Sequence, residues 1–168
     1  MARLPRLTVV ALLSALALAP GARSQSDAPQ PRYLRAVRQE LERVGAQATC
    51  EAEGRARAQC QLQHEASEGD GRWPVRVVIS DQTHTVTLVV LDLARIAPDD
   101  PRSDERLRRL AELNWSSNGT HLDWNPRTGA VRLSATQRTD TNFDRRAFRV
   151  LLRLVLSRAE RLAPQLGD

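Results

Sequence analysis

SDERLRRLAELNWSSNGTHLDWNPRTGAVRLSATQRTDTNFDRRAFRVLLRLVLSRAERLA, Ser103 to Ala163, reads as a helix, a tight hairpin and a second helix. Ser103, followed by Asp104 and Glu105, has the chemistry of a helix start: a hydroxyl for free N–H groups, then acids against the positive end of the dipole. Leu107, Leu110, Ala111 and Asn114 recur at helical spacing, and Asn118-Gly119 is a stop. His121–Trp124 and Val131–Thr136 alternate as half-buried strands do, around the turn residues Asn125-Pro126-Arg127-Thr128-Gly129. One register sets Leu122 against Leu133 and Trp124 against Val131, and it places Asp123 opposite Arg132 on the other face. Thr141-x-x-Asp144 has the form of a capping box, and Phe148, Leu151, Leu152, Val155, Ala159 and Leu162 follow as one apolar stripe.

The run LAELNWSSNGTHLDWNPRTGAVRLSATQRTDTNFDRRAFRVLLRLVLSRAERL, Leu110 to Leu162, resembles the C-terminal part of a YbjN-type domain. The likeness lies in a helix ending Leu113-Asn114, a hairpin with the strand AVRLSA, and a long final helix of Leu, Arg, Ala and Glu. Members of that family are described as candidate bacterial sensory-transduction regulators, and their fold is similar to that of type III secretion chaperones. The resemblance implies fold and a protein-binding role. It carries no catalytic residues.

The N-terminus points to export. Arg3 and Arg6 precede an apolar run from Leu7 to Ala19, then Pro20-Gly21 and Ala22-Arg23-Ser24, the pattern of a signal peptide over 1–24 cut after Ser24. An uncleaved anchor is the alternative, against which the shortness of the run counts. A polar tail, 25–31, is expected to be a disordered linker, and 32–166 a single YbjN-like α+β domain. Loss of Arg3, Arg6 and Arg23 takes the formal charge from +5 to +2, and all 25 basic residues are Arg. So small a balance, with acids interspersed, offers no nucleic-acid footprint. No stable membrane span is expected once the leader is removed.

An oxidising compartment suits a disulfide between Cys50 and Cys60. With these residues opposed across a hairpin turning at Gly54, Ala52 faces Ala58 and Glu53 faces Arg57. A redox-active pair is the alternative, but no C-x-x-C is present. Upstream, Pro31 opens a helix with Leu34, Val37, Leu41 and Val44 on one face and Gly45 at its end. Strands at Trp73–Ser80 and Thr83–Leu93, joined at Asp81-Gln82, are expected to set Val77 against Val86, Val75 against Leu88 and Ile79 against His84. The expected class is α+β, an antiparallel sheet with helices packed on it in the order α-β-β(-β-β)-α-β-β-α, type III secretion chaperone-like. YbjN-type domains have three strands in the first sheet segment; up to four are read here.

Catalytic signatures are missing from the sequence: no G-x-S-x-G, H-E-x-x-H, P-loop or G-x-G-x-x-G. His64, His84 and His121 are isolated, and three imidazoles meeting on zinc would be the metal reading, without ligand spacing to favour it. No cofactor, metal or catalytic residue is expected. Asn114-Trp115-Ser116 and Asn118-Gly119-Thr120 match the glycosylation sequon; with the bacterial source that the resemblance implies they read as coincidence, and a eukaryotic source would reverse that reading.

The final helix carries more apolar surface than one sheet face requires. Val150, Leu154 and Leu156 lie beyond the core stripe, beside a row of Arg145, Arg149 and Arg153. The plain reading is a well-buried helix with a solvated Arg edge; the functional one is a binding face of Arg145, Arg149, Val150, Arg153 and Leu154. The resulting expectation is an exported, periplasmic or secreted protein that works by binding another protein or a second copy of itself. An envelope hydrolase assembled only in three dimensions, or a purely structural envelope protein, is the alternative.

Overall fold

In the computed structural model the described residues are 29–140 and 142–167. The expected signal peptide (1–24), the start of the expected linker and Thr141 lie outside them. The elements are α1 (Leu34–Arg43), β1 (Thr49–Ala52), β2 (Arg57–Glu65), β3 (Arg72–Ser80) and β4 (Thr85–Arg95). Then come α2 (Ser103–Trp115), β5 (His121–Trp124), β6 (Ala130–Arg138) and α3 (Arg145–Gly167). All strand pairs are antiparallel, in the spatial order β1-β2-β3-β4-β6-β5, so the class is the expected α+β. All four strands of the first segment form; β1 has only four residues.

Strict alternation builds the core. Trp73, Val75, Val77 and Ile79 of β3, Val86, Leu88 and Val90 of β4, and Val131, Leu133 and Ala135 of β6 are buried. Across them lies α3, with Phe148, Leu152, Val155, Ala159 and Leu162 buried. Each Val, Leu, Ile or Phe side chain among them is worth about 1.5–3 kcal/mol when fully buried. Val37 and Leu41 of α1 join the same core. The other sheet face is half-buried and polar in part, with a Thr87–Thr136 hydroxyl bond of 3.0 Å.

Both short-range hairpins have the expected registers. Leu122 pairs with Leu133, Trp124 with Val131 and Asp123 with Arg132, whose Nε lies 3.0 Å from Asp123 Oδ2. Cys50 pairs with Cys60 and Ala52 with Ala58, the disulfide is formed, and Arg57 Nε reaches Glu53 Oε2 at 2.9 Å. Gly129 closes the β5–β6 turn at φ 73, where a Cβ would stand 2.6 Å from the carbonyl oxygen of Ile96. That carbonyl also accepts from Trp124 Nε1 at 3.0 Å, so backbone and indole crowd the same point.

Four local expectations are corrected. The β3–β4 pairing is shifted by two residues: Val77 meets Leu88, Val75 meets Val90 and Ile79 meets Val86. Asp81–His84 form a longer loop than Asp-Gln alone, with His84 at φ 51. A shift of two preserves the buried face, so apolar patterning does not distinguish these registers. Second, α2 ends at Trp115, before Asn118-Gly119, and Ser103 makes no side-chain cap. Leu110 and Leu113 are its buried pair, while Ala111 is exposed. Third, α3 is capped by Asp144, whose Oδ1 accepts from Ala147 N at 2.9 Å. Fourth, α1 begins at Leu34 and ends before Val44, which is exposed.

A bulge in β4 between Val90 and Ala94 holds Asp92 at φ 50, a conformation Asp tolerates better than most residues. Inward positions therefore step from Val90 to Leu93.

Candidate polypeptide-binding groove

β1 pairs with β2 only from Ala58 to Gln61. From Leu62 to Glu65, β2 keeps its partner β3 on one side and, among the described residues, has no strand on the other. Backbone groups on such an edge are a template for another extended chain. Natural edges are usually short, charged or covered; this one is short and lies between two grooves.

On the helix side, a groove of about 640 Å³ is lined by Val44, Ala46, Leu62, Leu152 and Leu156, with Arg43, Arg149, Arg153 and His64 also in its lining. On the other side, a groove of about 650 Å³ is lined in part by Ala46, Leu62, Gln63, Glu65, Pro74 and Arg76. Leu62 and Gln63 border both, so the unpaired part of β2 forms the ridge between them.

The Arg row of α3 is tied to α1. Glu40 is 0% exposed, and Arg149 donates to its Oε2. Arg145 reaches its Oε1 at 3.3 Å and Arg43 does so at 3.2 Å, while Arg145 also donates to Gln39 at 3.1 Å. Burial pushes the Glu40 carboxyl upward, but the bond from Arg149, the charges of Arg43 and Arg149 and the bond from Arg145 outweigh it. The net result is a carboxyl held below its ordinary value. Three guanidinium groups thus share one carboxylate, and the cluster keeps a positive surplus. Arg153 contacts the backbone carbonyl of Arg149 and has no acidic partner among the described residues.

Of the five residues expected to bind a partner, Arg149 and Arg153 line the groove. Arg145 is occupied beside it by Glu40 and Gln39. Val150 and Leu154, 53% and 37% exposed, form the next strip around α3. Leu152 and Leu156 share the groove, together with Val44 and Leu62 from other elements. Helical spacing already marks Leu156 as apolar surface beyond the core stripe, although not as part of the expected binding set. Val44 and Leu62 carry no local signal, because their position depends on where α1 and β1 stop.

The histidines separate. His64 on β2 donates to Glu160 Oε1 at 2.9 Å and stacks against Trp73. Ser67 also bonds that carboxylate oxygen, through its hydroxyl at 3.2 Å. Burial raises the Glu160 carboxyl less than the bonds from His64 and Ser67 lower it, so it sits below its ordinary value. His84 is in the β3–β4 loop, and His121 is on β5 beside Asp123 at 3.3 Å. Three strands separate His64 from His121 in the sheet. Among the described residues no group of three His, Cys, Asp or Glu side chains could hold a metal ion, and no helix is long and apolar enough to cross a membrane.

No family model matches the sequence, and no curated protein matches it. Solved structures do match. YbjN from E. coli, a candidate transcription regulator, has a TM-score of 0.55 at 14% identity, over 77% of this chain and 87% of YbjN. The ExsC–ExsE complex gives a TM-score of 0.54 at 18% identity, over 80% of this chain and 96% of the matched one. The fold is therefore YbjN-like and type III secretion chaperone-like, as the resemblance of the last third implies.

Proposed function

We propose that this chain is an exported, non-enzymatic protein whose 32–166 domain binds an extended polypeptide segment of another protein. The observation that carries the reading is the unpaired stretch Leu62–Glu65 of β2, flanked on both faces by grooves. An incoming strand finds main-chain partners along the edge and side-chain room above and below it, which is the logic of strand addition. The face of α3 carrying Arg149, Arg153, Val150 and Leu154 borders the helix-side groove and is assigned to the same site. The ExsC–ExsE complex supports the reading in one respect: a protein of this fold occurs there in a complex with another. Export rests on the N-terminal pattern Arg3 to Ser24 and on the Cys50–Cys60 bridge.

The test is binding of a permanently unfolded, carboxymethylated polypeptide to the mature chain. The expected result is saturable binding, reduced about tenfold or more by Leu156→Asp at unchanged circular dichroism. Binding that is absent, or is unaffected by substitutions at Leu156 and Leu154, would sink the proposal.

A further inference from the structure

Granting that reading, we infer that the helix-side groove selects a segment rich in carboxylates as well as apolar side chains, in preference to a second copy of this chain. The lining combines an apolar floor of Val44, Leu62, Leu152 and Leu156 with Arg43, Arg149 and Arg153, and among the described residues no Asp or Glu lines it. Two carboxylates stand behind the lining: Glu160 is bonded to His64, and Glu40 is fully buried and already shared by Arg43, Arg145 and Arg149. Its single charge leaves the cluster positive, and Arg153 adds a further cation with no acid of its own among the described residues.

This arrangement has opposite consequences for two occupants. A symmetric pairing of two copies sets the same patch against itself, so that Arg149 and Arg153 meet their own equivalents or lie close to them. Like charges brought together at an interface are costly, and such repulsion is a means of rejecting partners. A segment that alternates apolar residues with Asp or Glu places its apolar set in the floor and its acids against the Arg rim. Attraction to exposed guanidinium groups is salt-sensitive, which supplies a signature. The groove on the other face lacks this bias, since Glu65 and Arg76 both line it.

The experiment measures fluorescence anisotropy with three labelled peptides in which valine alternates with glutamate, serine or lysine. It uses the oxidised mature chain and its variants Arg153→Glu and Arg43→Glu/Arg153→Glu, both of which keep Arg145 and Arg149 on Glu40; unchanged circular dichroism is required of each, because Arg43→Glu sets a like charge beside Glu40. Tighter binding of the glutamate peptide than the lysine peptide, by about tenfold, with loss of the gap at high salt and its inversion in the double variant, is the expected result. Equal binding of all three peptides overturns the charge selection while leaving polypeptide binding in place. Binding of none overturns both. Light scattering over a concentration series supplies the other arm: a monomer supports the inference, and a stable dimer broken by Leu154→Asp overturns it, because a second copy would then own the face.

Discussion

Glu40 of α1 and Arg149 of α3 form an ion pair in which the carboxylate is completely buried. The pair joins two elements that are far apart in sequence, and it sits at the wall of the groove that Arg149 lines. Arg145 of α3 shares the same carboxylate and also donates to Gln39, so the ionic part of the contact between α1 and α3 centres on one acid.

Replacing Glu40 by Ala leaves three guanidinium groups around an uncompensated pocket. Those groups are 26–60% exposed and can turn to water, so the expected fall in urea-unfolding free energy is that of lost charged hydrogen bonds, about 1.5–3 kcal/mol. Arg43→Ala, at the exposed rim of the cluster, is expected to cost about 1 kcal/mol or less.

The same acid sets a pH dependence. Its folded-state value lies below the ordinary carboxylate value of 4.5, as does that of Glu160. A depressed carboxyl contributes stability that is fully present above the unfolded value and is lost as pH falls through the folded one. The wild-type chain is therefore expected to lose stability as pH drops below 4.5. Glu40→Gln is expected to show a flatter profile over that window in thermal melts taken along a pH series.

Cys50 and Cys60 hold the four-residue β1 onto β2. By the loop-entropy estimate the bridge contributes about 2–3 kcal/mol. The Cys50→Ser/Cys60→Ser variant is expected to unfold at correspondingly lower urea. Its amides in β1 should exchange with solvent faster than those of β3.

Asn114 clasps α2 to β5: its Nδ2 donates to the Leu122 carbonyl at 2.8 Å, and its Oδ1 accepts from Leu122 N at 2.7 Å. Asn114→Ala leaves both backbone groups unpaired, an expected cost of about 1–3 kcal/mol by denaturant unfolding. The two hydrogen bonds also engage the amide of the first sequon, so this Asn is a structural residue in the folded chain.

Legibility in the sequence followed the range of the physics. The β5–β6 and β1–β2 registers were readable because charge pairs, apolar pairs and, in one case, sulfurs agreed within a few residues. The β3–β4 register was not, since pairing Ile79 with Val86 or with His84 keeps the same residues inside. Asp144 was visible as part of a cap, although its role as the cap itself required the chain path. Arg149 and Arg153 were recognisable as a row, but their meaning depends on Glu40, which sits on a helix that local sequence cannot place against α3. Leu62 belongs to the groove only because β1 stops one pair short of it.

The central claim, that an extended segment docks along the free part of β2, is tested most directly by amide hydrogen exchange resolved to single residues, with and without the valine–glutamate peptide. The account predicts new protection concentrated in Leu62–Glu65, with smaller changes at Val44–Gln47 and along the Arg149–Leu156 face of α3. Protection confined to another edge, such as β5, or no change at β2 under saturating peptide, would contradict it.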